Sequence, residues 1–212
     1  MPIPHRQLAD SLADGLLSFP TTFFDDSDNF AEENFRRHVA RQSAGGATAV
    51  CAAGGTGEFF SLTSSEYAAV IGAASAELRG RLPLLAGVGY GTKMAIEFAR
   101  IAEANGVDGL LVMPPYLLNC EQEGLRRHLT AICDSVDVGV IAYNRDNAIL
   151  TAESLEQVAA KCPNLIGLKD GVGNIEALTA IRVRLGTRLV LLGGMPTAEV
   201  HATAARAIGV RA

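Results

Sequence analysis

Seven short apolar runs recur along the chain: GLLSF (15–19), ATAVCAA (47–53), LPLLAGV (82–88), DGLLVM (108–113), VGVIAY (138–143), LIGLK (165–169) and RLVLLGG (188–194). None alternates apolar with polar residues. A strand with one solvated face alternates, whereas a continuous run is buried on both faces, as in a parallel sheet covered by helices. The longer segments between the runs carry a helical period. Thr63-Ser64-Ser65-Glu66 fits a capping box, and Val70, Ile71, Ala74 and Leu78 follow it on one stripe. Thr92 is placed to cap the next helix, with Met94, Phe98, Ile101 and Asn105 as its stripe. Asn174 is placed to cap another, with Ile175, Leu178, Ile181 and Leu185. Further helices are expected near 30–43, 121–135, 151–161 and 196–208.

Strand–helix units that follow one another without a linker predict a single α/β domain over 1–212. They favour a (β/α)8 TIM barrel over a doubly wound sheet. A barrel needs eight strands and typically ~250 residues, yet the sequence reaches AIGVRA where the eighth run should begin. The expectation is therefore a barrel truncated after about seven units, C-terminally incomplete and with two exposed sheet edges.

With 49% apolar and 19% charged residues among 212, the chain has the composition of a globular protein able to bury a sizeable core. A net charge of −5 gives no electrostatic case for nucleic acid or an anionic membrane. MPIPHRQLAD lacks the basic-then-apolar layout of a signal peptide, and no apolar run is long enough to span a bilayer, so a cytoplasmic location is expected. Cys51, Cys120, Cys133 and Cys162 form no C-x-x-C pair and read as reduced core residues. His5, His38, His128 and His201 make no metal-like spacing and read as surface or satisfied histidines.

In a barrel the carboxyl ends of the strands converge on one mouth. Strand two ends in GGTGE (54–58), strand four in MPPY (113–116), strand five in YNRDN (143–147), strand six in Lys169-Asp170 and strand seven in GGMPTAE (193–199). Lys169, at the end of a buried run, is either paired with Glu58 or Asp170 or is a nucleophilic amine. Burial disfavours its charged form and frees a lone pair to attack a carbonyl. Tyr143 is either a core aromatic or a phenol that donates to and accepts from a reacting oxygen. Gly55 and Thr56 fall in a tight turn whose backbone N–H groups suit a carboxylate; the loop lacks the lysine and the glycine order of a nucleotide site. Gly193 and Gly194 join them as substrate-binding candidates at the end of strand seven. GVGYG (87–91) reads as a strand-to-helix turn.

GGTGEFFSLTSSEY, MPPYLL with QEG, YNRDN, NLIGLKDGVGN and GGMPTAEV, in this order, resemble the Schiff-base lyases related to dihydrodipicolinate synthase and N-acetylneuraminate lyase. The likeness runs from GLLSFP at residue 15 to AIGV at 210. It implies that Lys169 forms the imine, that Tyr143 transfers protons, and that Gly55 and Thr56 hold the keto-acid carboxylate. Glu58 matches a scaffold position and Phe19-Pro20 a packing feature. It also implies no metal and no organic cofactor, a small sugar acid as substrate, and a homo-oligomer of tetramer type.

Three departures narrow the resemblance. The synthase turn reads Gly-Thr-Thr-Gly-Glu, and its first threonine hydroxyl is absent at Gly55. Its second tyrosine after the Pro-Tyr of strand four is Leu117 here, following Tyr116. Its Pro-Gly-Arg after Tyr-Asn is replaced by Arg145-Asp146-Asn147. The motifs GGTGEFFSLT and YNR agree instead with the branch that dehydrates 5-dehydro-4-deoxyglucarate. That branch implies dehydration with decarboxylation to 2,5-dioxopentanoate, with Arg145 as candidate for the distal carboxylate. A pyruvate-dependent aldolase or synthase of the same fold and an inactive sugar-acid-binding remnant are the alternatives.

Overall fold

All seven apolar runs form strands in the computed structural model, which describes residues 3–13, 15–115, 119–195 and 198–211. They are β1 (Leu17–Ser18), β2 (Ala49–Ala52), β3 (Leu84–Val88), β4 (Gly109–Val112), β5 (Gly139–Asn144), β6 (Leu165–Asp170) and β7 (Val190–Gly193). The strands lie in one sheet in sequence order, and every pairing is parallel. A doubly wound sheet reverses its strand order at a switch point; this one does not, so the barrel reading holds. The sheet curls without closing, since β1 and β7 do not pair.

The intervening helices are α1 (His5–Leu12), α2 (Glu32–Ala44), α3 (Ser64–Leu78), α4 (Thr92–Ala104), α5 (Gln122–Cys133), α6 (Ala152–Lys161), α7 (Ile175–Leu185) and α8 (Ala198–Ala207). The capping box of α3 is present: Glu66 N–H donates to Thr63 Oγ1 at 3.2 Å and Thr63 N–H to Glu66 Oε2 at 2.8 Å. Its stripe of Val70, Ile71, Ala74 and Leu78 is buried. Each of the larger side chains there contributes roughly 1.5–3 kcal/mol by leaving water. Asn174 caps α7 by accepting from Ala177 N–H.

Two expectations on α4 need correction. Its N-cap is Gly91, and the Thr92 hydroxyl instead meets His128 Nδ1 at 2.9 Å. Its buried face is Ala95, Phe98, Ala99 and Ala102, while Met94 is 48% exposed. Three of these four are alanines, so side-chain hydrophobicity alone does not mark the buried face. His128 also departs from the satisfied-histidine reading, because its Nε2 is buried without a partner. On α7, Ile175 is 37% exposed, so only Leu178 and Ile181 of that stripe are fully buried.

α1 has no counterpart among the expected helices, since HRQLADSL offers only two large apolar positions. Those two, Leu8 and Leu12, are fully buried. A Cβ on Gly109 or Gly139, the first residues of β4 and β5, would lie 3.1 or 2.9 Å from Leu8 Cδ2. α1 therefore covers the N-terminal ends of these strands and leaves the opposite ends open. After α8 the chain returns to the sheet, where Val210 bridges Leu191 in parallel and Arg211 N–H donates to the Leu191 carbonyl at 2.9 Å. No helix among the described residues is long and apolar enough to cross a membrane. Cys51, Cys133 and Cys162 are buried, Cys120 is partly so, and all four are free thiols.

Candidate active site

Tyr143 and Lys169 are register partners in β5 and β6, so their side chains leave the sheet on the same face. Lys169 Nζ lies 4.8 Å from the centre of the Tyr143 ring and 4.0 Å from that of Phe19. Among the described residues no carboxylate forms an ion pair with it. The pairings with Glu58 and Asp170 considered from sequence are not made. Glu58 is exposed, and the buried Asp170 carboxylate accepts from Gly173 N–H at 2.8 Å and Val172 N–H at 3.3 Å. Burial pulls the Lys169 amine below its ordinary value; Cys51 opposes this and the Arg145 guanidinium adds to it. The Cys51 thiol, pushed up to about 12 by its own burial, is neutral at pH 7 and offers no anion there.

The phenol is held from several sides. Tyr143 Oη donates to the Gly194 carbonyl at 3.2 Å and accepts from Arg145 Nη1 at 3.4 Å. A Cβ on Gly171 would lie 3.1 Å from that oxygen, and one on Gly194 would lie 2.8 Å from Lys169 Cε. Both positions are glycine because backbone packs directly on these two side chains. Arg145 is half exposed and pairs with Asp146 at 3.1 Å. Asn144 fixes the loop that carries it: its amide donates to the Leu150 carbonyl at 3.1 Å and accepts from Leu150 N–H at 2.9 Å.

Gly55 and Thr56 lie in the turn after β2, and neither N–H donates to another described group. A side chain at Gly55 would meet nothing within 4 Å. Lys169, Tyr143, Arg145, Gly55, Thr56 and Gly194 all line one cavity of about 690 Å³, closed on its apolar side by Phe19, Phe60, Leu111 and Met113. Gly193 does not join them. It lines a second cavity of about 180 Å³ with the exposed Leu16 and with Leu17, Cys51 and Ile141. Of the strand-end motifs, Tyr116, Leu117, Pro196 and Thr197 lie outside the described residues.

The sequence reading missed Phe19 as a neighbour of the amine. Its position at the end of the first apolar run was the available signal. The arrangement brings together a buried amine with no carboxylate partner among the described residues, a phenol beside it, two backbone N–H groups and a guanidinium. Such a set can bind a keto acid and move protons around an imine.

The sequence profile of the Dihydrodipicolinate synthetase family matches residues 12–212. The chain is 52% identical over 204 residues to a probable 5-dehydro-4-deoxyglucarate dehydratase of Rhizobium rhizogenes, covering 96% of this chain and 67% of that protein. It is 50% identical over 205 residues to the 5-dehydro-4-deoxyglucarate dehydratase of Pseudomonas putida, covering 97% and 68%. Among solved structures, dihydrodipicolinate synthase from Acinetobacter baumannii, complexed with pyruvate, superposes with a TM-score of 0.85 at 26% identity, over 94% of this chain and 68% of that one. The chain thus spans about two thirds of the length of the curated relatives it matches.

Proposed function

This chain belongs to the Dihydrodipicolinate synthetase family, and on that premise we propose that it is a Schiff-base lyase that dehydrates and decarboxylates 5-dehydro-4-deoxy-D-glucarate. The products are 2,5-dioxopentanoate, water and carbon dioxide. The relatives at 50% and 52% identity support this substrate. The observation that supports the chemistry most is the buried Lys169 amine, unpaired with any described carboxylate and facing Tyr143 in the mouth cavity.

In this reading the neutral Lys169 amine attacks the ketone beside one carboxylate, and the carbonyl oxygen leaves as water. The protonated imine draws electrons from the adjacent methylene, which loses a proton to give an enamine. The enamine expels the hydroxyl one carbon further on, which takes up a proton and departs as water. The resulting conjugated iminium accepts the electron pair left when carbon dioxide leaves the far end. Reprotonation at carbon and hydrolysis of the imine, which consumes one water, release the dioxo acid and regenerate the amine. Tyr143 relays the protons. The Gly55 and Thr56 N–H groups hold the near carboxylate, and Arg145 takes the distal one. Gly194 presents the carbonyl that orients the phenol. Gly193, next to Gly194 at the end of β7, is part of the same substrate-binding proposal. A homo-oligomeric assembly is part of the same proposal, to be read by light scattering.

The test is incubation with 5-dehydro-4-deoxy-D-glucarate while carbon dioxide and 2,5-dioxopentanoate are measured, with borohydride added in a parallel sample. Carbon dioxide release and a reduced adduct on Lys169 are expected. Release of pyruvate without carbon dioxide would replace this reading with an aldolase. Binding without any reducible adduct would replace it with a sugar-acid-binding protein.

A further inference from the structure

A buried lysine that forms imines is a cation in two of its states, as ammonium before attack and as iminium after it. A buried cation is costly unless something compensates it. Here the expected compensator, a carboxylate, is absent among the described residues, and the charged groups around Nζ can be named from each neighbouring element. β5 and its loop supply the Tyr143 phenol and the Arg145 cation, and β2 supplies the neutral Cys51 thiol. On β6 itself, Asp170 is turned to the backbone of Val172 and Gly173. The segment just after β1 supplies Phe19, whose ring centre is the nearer of the two aromatic centres to Nζ, at 4.0 Å against 4.8 Å for Tyr143.

Phe19 has a second relation to the amine. Phe19, Leu111 and Lys169 are the residues that line both the mouth cavity of about 690 Å³ and the second, largely apolar cavity of about 180 Å³. They make the partition between the two. A lysine has a flexible four-carbon stem, so an amine at this partition needs something to hold it toward the mouth. Leu111 supplies bulk only. The face of an aromatic ring carries a negative quadrupole that attracts a cation within about 6 Å of its centre.

We propose that Phe19 is a positioning residue for Lys169, its ring face serving as the uncharged partner of the lysine nitrogen and holding it at the mouth side of the partition. The inference rests on the imine-forming reading of Lys169 and adds the group that stands where a counter-ion would otherwise be needed. An aromatic partner differs from a carboxylate in one chemically useful way. It stabilises the cation without accepting a proton, so that proton traffic at the imine is left to Tyr143.

The test replaces Phe19 in the full chain by 4-fluoro-, 3,5-difluoro- and 3,4,5-trifluorophenylalanine, which keep the ring's shape while draining its face. Each variant is mixed with pyruvate and borohydride across a pH series, and the adduct on Lys169 is quantified by mass. The midpoint of the trapping profile is expected to move stepwise to lower pH with each fluorine. The cation–π range of about 0.5–2 kcal/mol corresponds to a total change of about two- to thirtyfold in the ammonium-to-amine ratio at one pH. A midpoint that stays fixed through the series overturns the role of Phe19. Failure of the unsubstituted protein to form any adduct overturns the imine reading itself, which is a different result.

Discussion

Lys169 and Tyr143 face each other across one rung of the β5–β6 ladder, with Nζ 4.8 Å from the ring centre, while the phenol's own proton is given to the Gly194 carbonyl of the neighbouring segment. The register thus fixes how far apart the amine and the phenol stand, and the turn after β7 fixes which way the phenol points. Neither residue depends on a loop for its Cα position, a condition for holding reacting groups within catalytic tolerance.

Tyr143→Phe removes the hydroxyl and leaves the ring that packs beside Lys169. Turnover of 5-dehydro-4-deoxy-D-glucarate is expected to fall by about 10²–10⁴, the usual worth of a positioned acid–base group. Stability should change by only about 1 kcal/mol, as for one lost hydrogen bond. Borohydride should still trap pyruvate on Lys169. Steady-state kinetics, a denaturant titration and adduct mass check the three parts, and undiminished turnover rules out the proton-transfer role.

Gly194→Ala and Gly55→Ala should behave oppositely. A Cβ on Gly194 would lie 2.8 Å from Lys169 Cε and 2.9 Å from the Asp170 carbonyl, whereas one on Gly55 meets nothing within 4 Å. Displacing the amine by part of an ångström is expected to slow adduct formation by about 100-fold in Gly194→Ala. Gly55→Ala should fold with a stability within about 0.5 kcal/mol of the parent. Chemical denaturation paired with trapping rates measures both.

Lys169→Met is expected to be more stable than the parent at pH 7. The folded-state value of the amine is lowered from 10.5, chiefly by burial. Below that folded value both folded and unfolded chains hold the proton, and the burial cost is felt in full. Between it and 10.5 the unfolded chain alone holds the proton, so the parent gains stability as pH rises through that window. The advantage of methionine should therefore shrink as pH climbs toward 10.5. Melting curves from pH 7 to 10.5 would contradict this if the two proteins diverged instead.

Thr63→Ala removes the cap of α3, and Thr63 does not itself line the mouth cavity. A loss of about 1 kcal/mol is expected, or roughly 2–4 °C in melting temperature for a domain of this size. The Glu66 carboxyl is held below its ordinary 4.5 by its hydrogen bonds to Thr63. Its contribution is present above 4.5 and lost as pH falls through the lower folded value, so the gap between parent and variant should narrow in acid. Differential scanning calorimetry at pH 7 and in acid reads it.

The repeat of continuous apolar runs and helical stripes was enough to place all seven strands, because burial on both faces leaves an unmistakable local pattern. The capping box of α3 and the Asn174 cap were legible for the same reason: each is made within four residues. Lys169 and Tyr143 stood out because a polar residue ending a buried strand is itself anomalous. What the chain order alone did not contain was everything set by approach across elements. Only packing against the sheet decided that α4 buries its alanines and leaves Met94 exposed, and that α1 folds at all over Gly109 and Gly139. Only the curl of the sheet put Phe19, just after β1, against Lys169 of β6, 150 residues later, and sent Gly193 and Gly194 to different cavities. Periodicity reports which side of an element is dry. Which atom meets which across the interior depends on strand register, stagger and helix distance, and these exist only once the chain has folded.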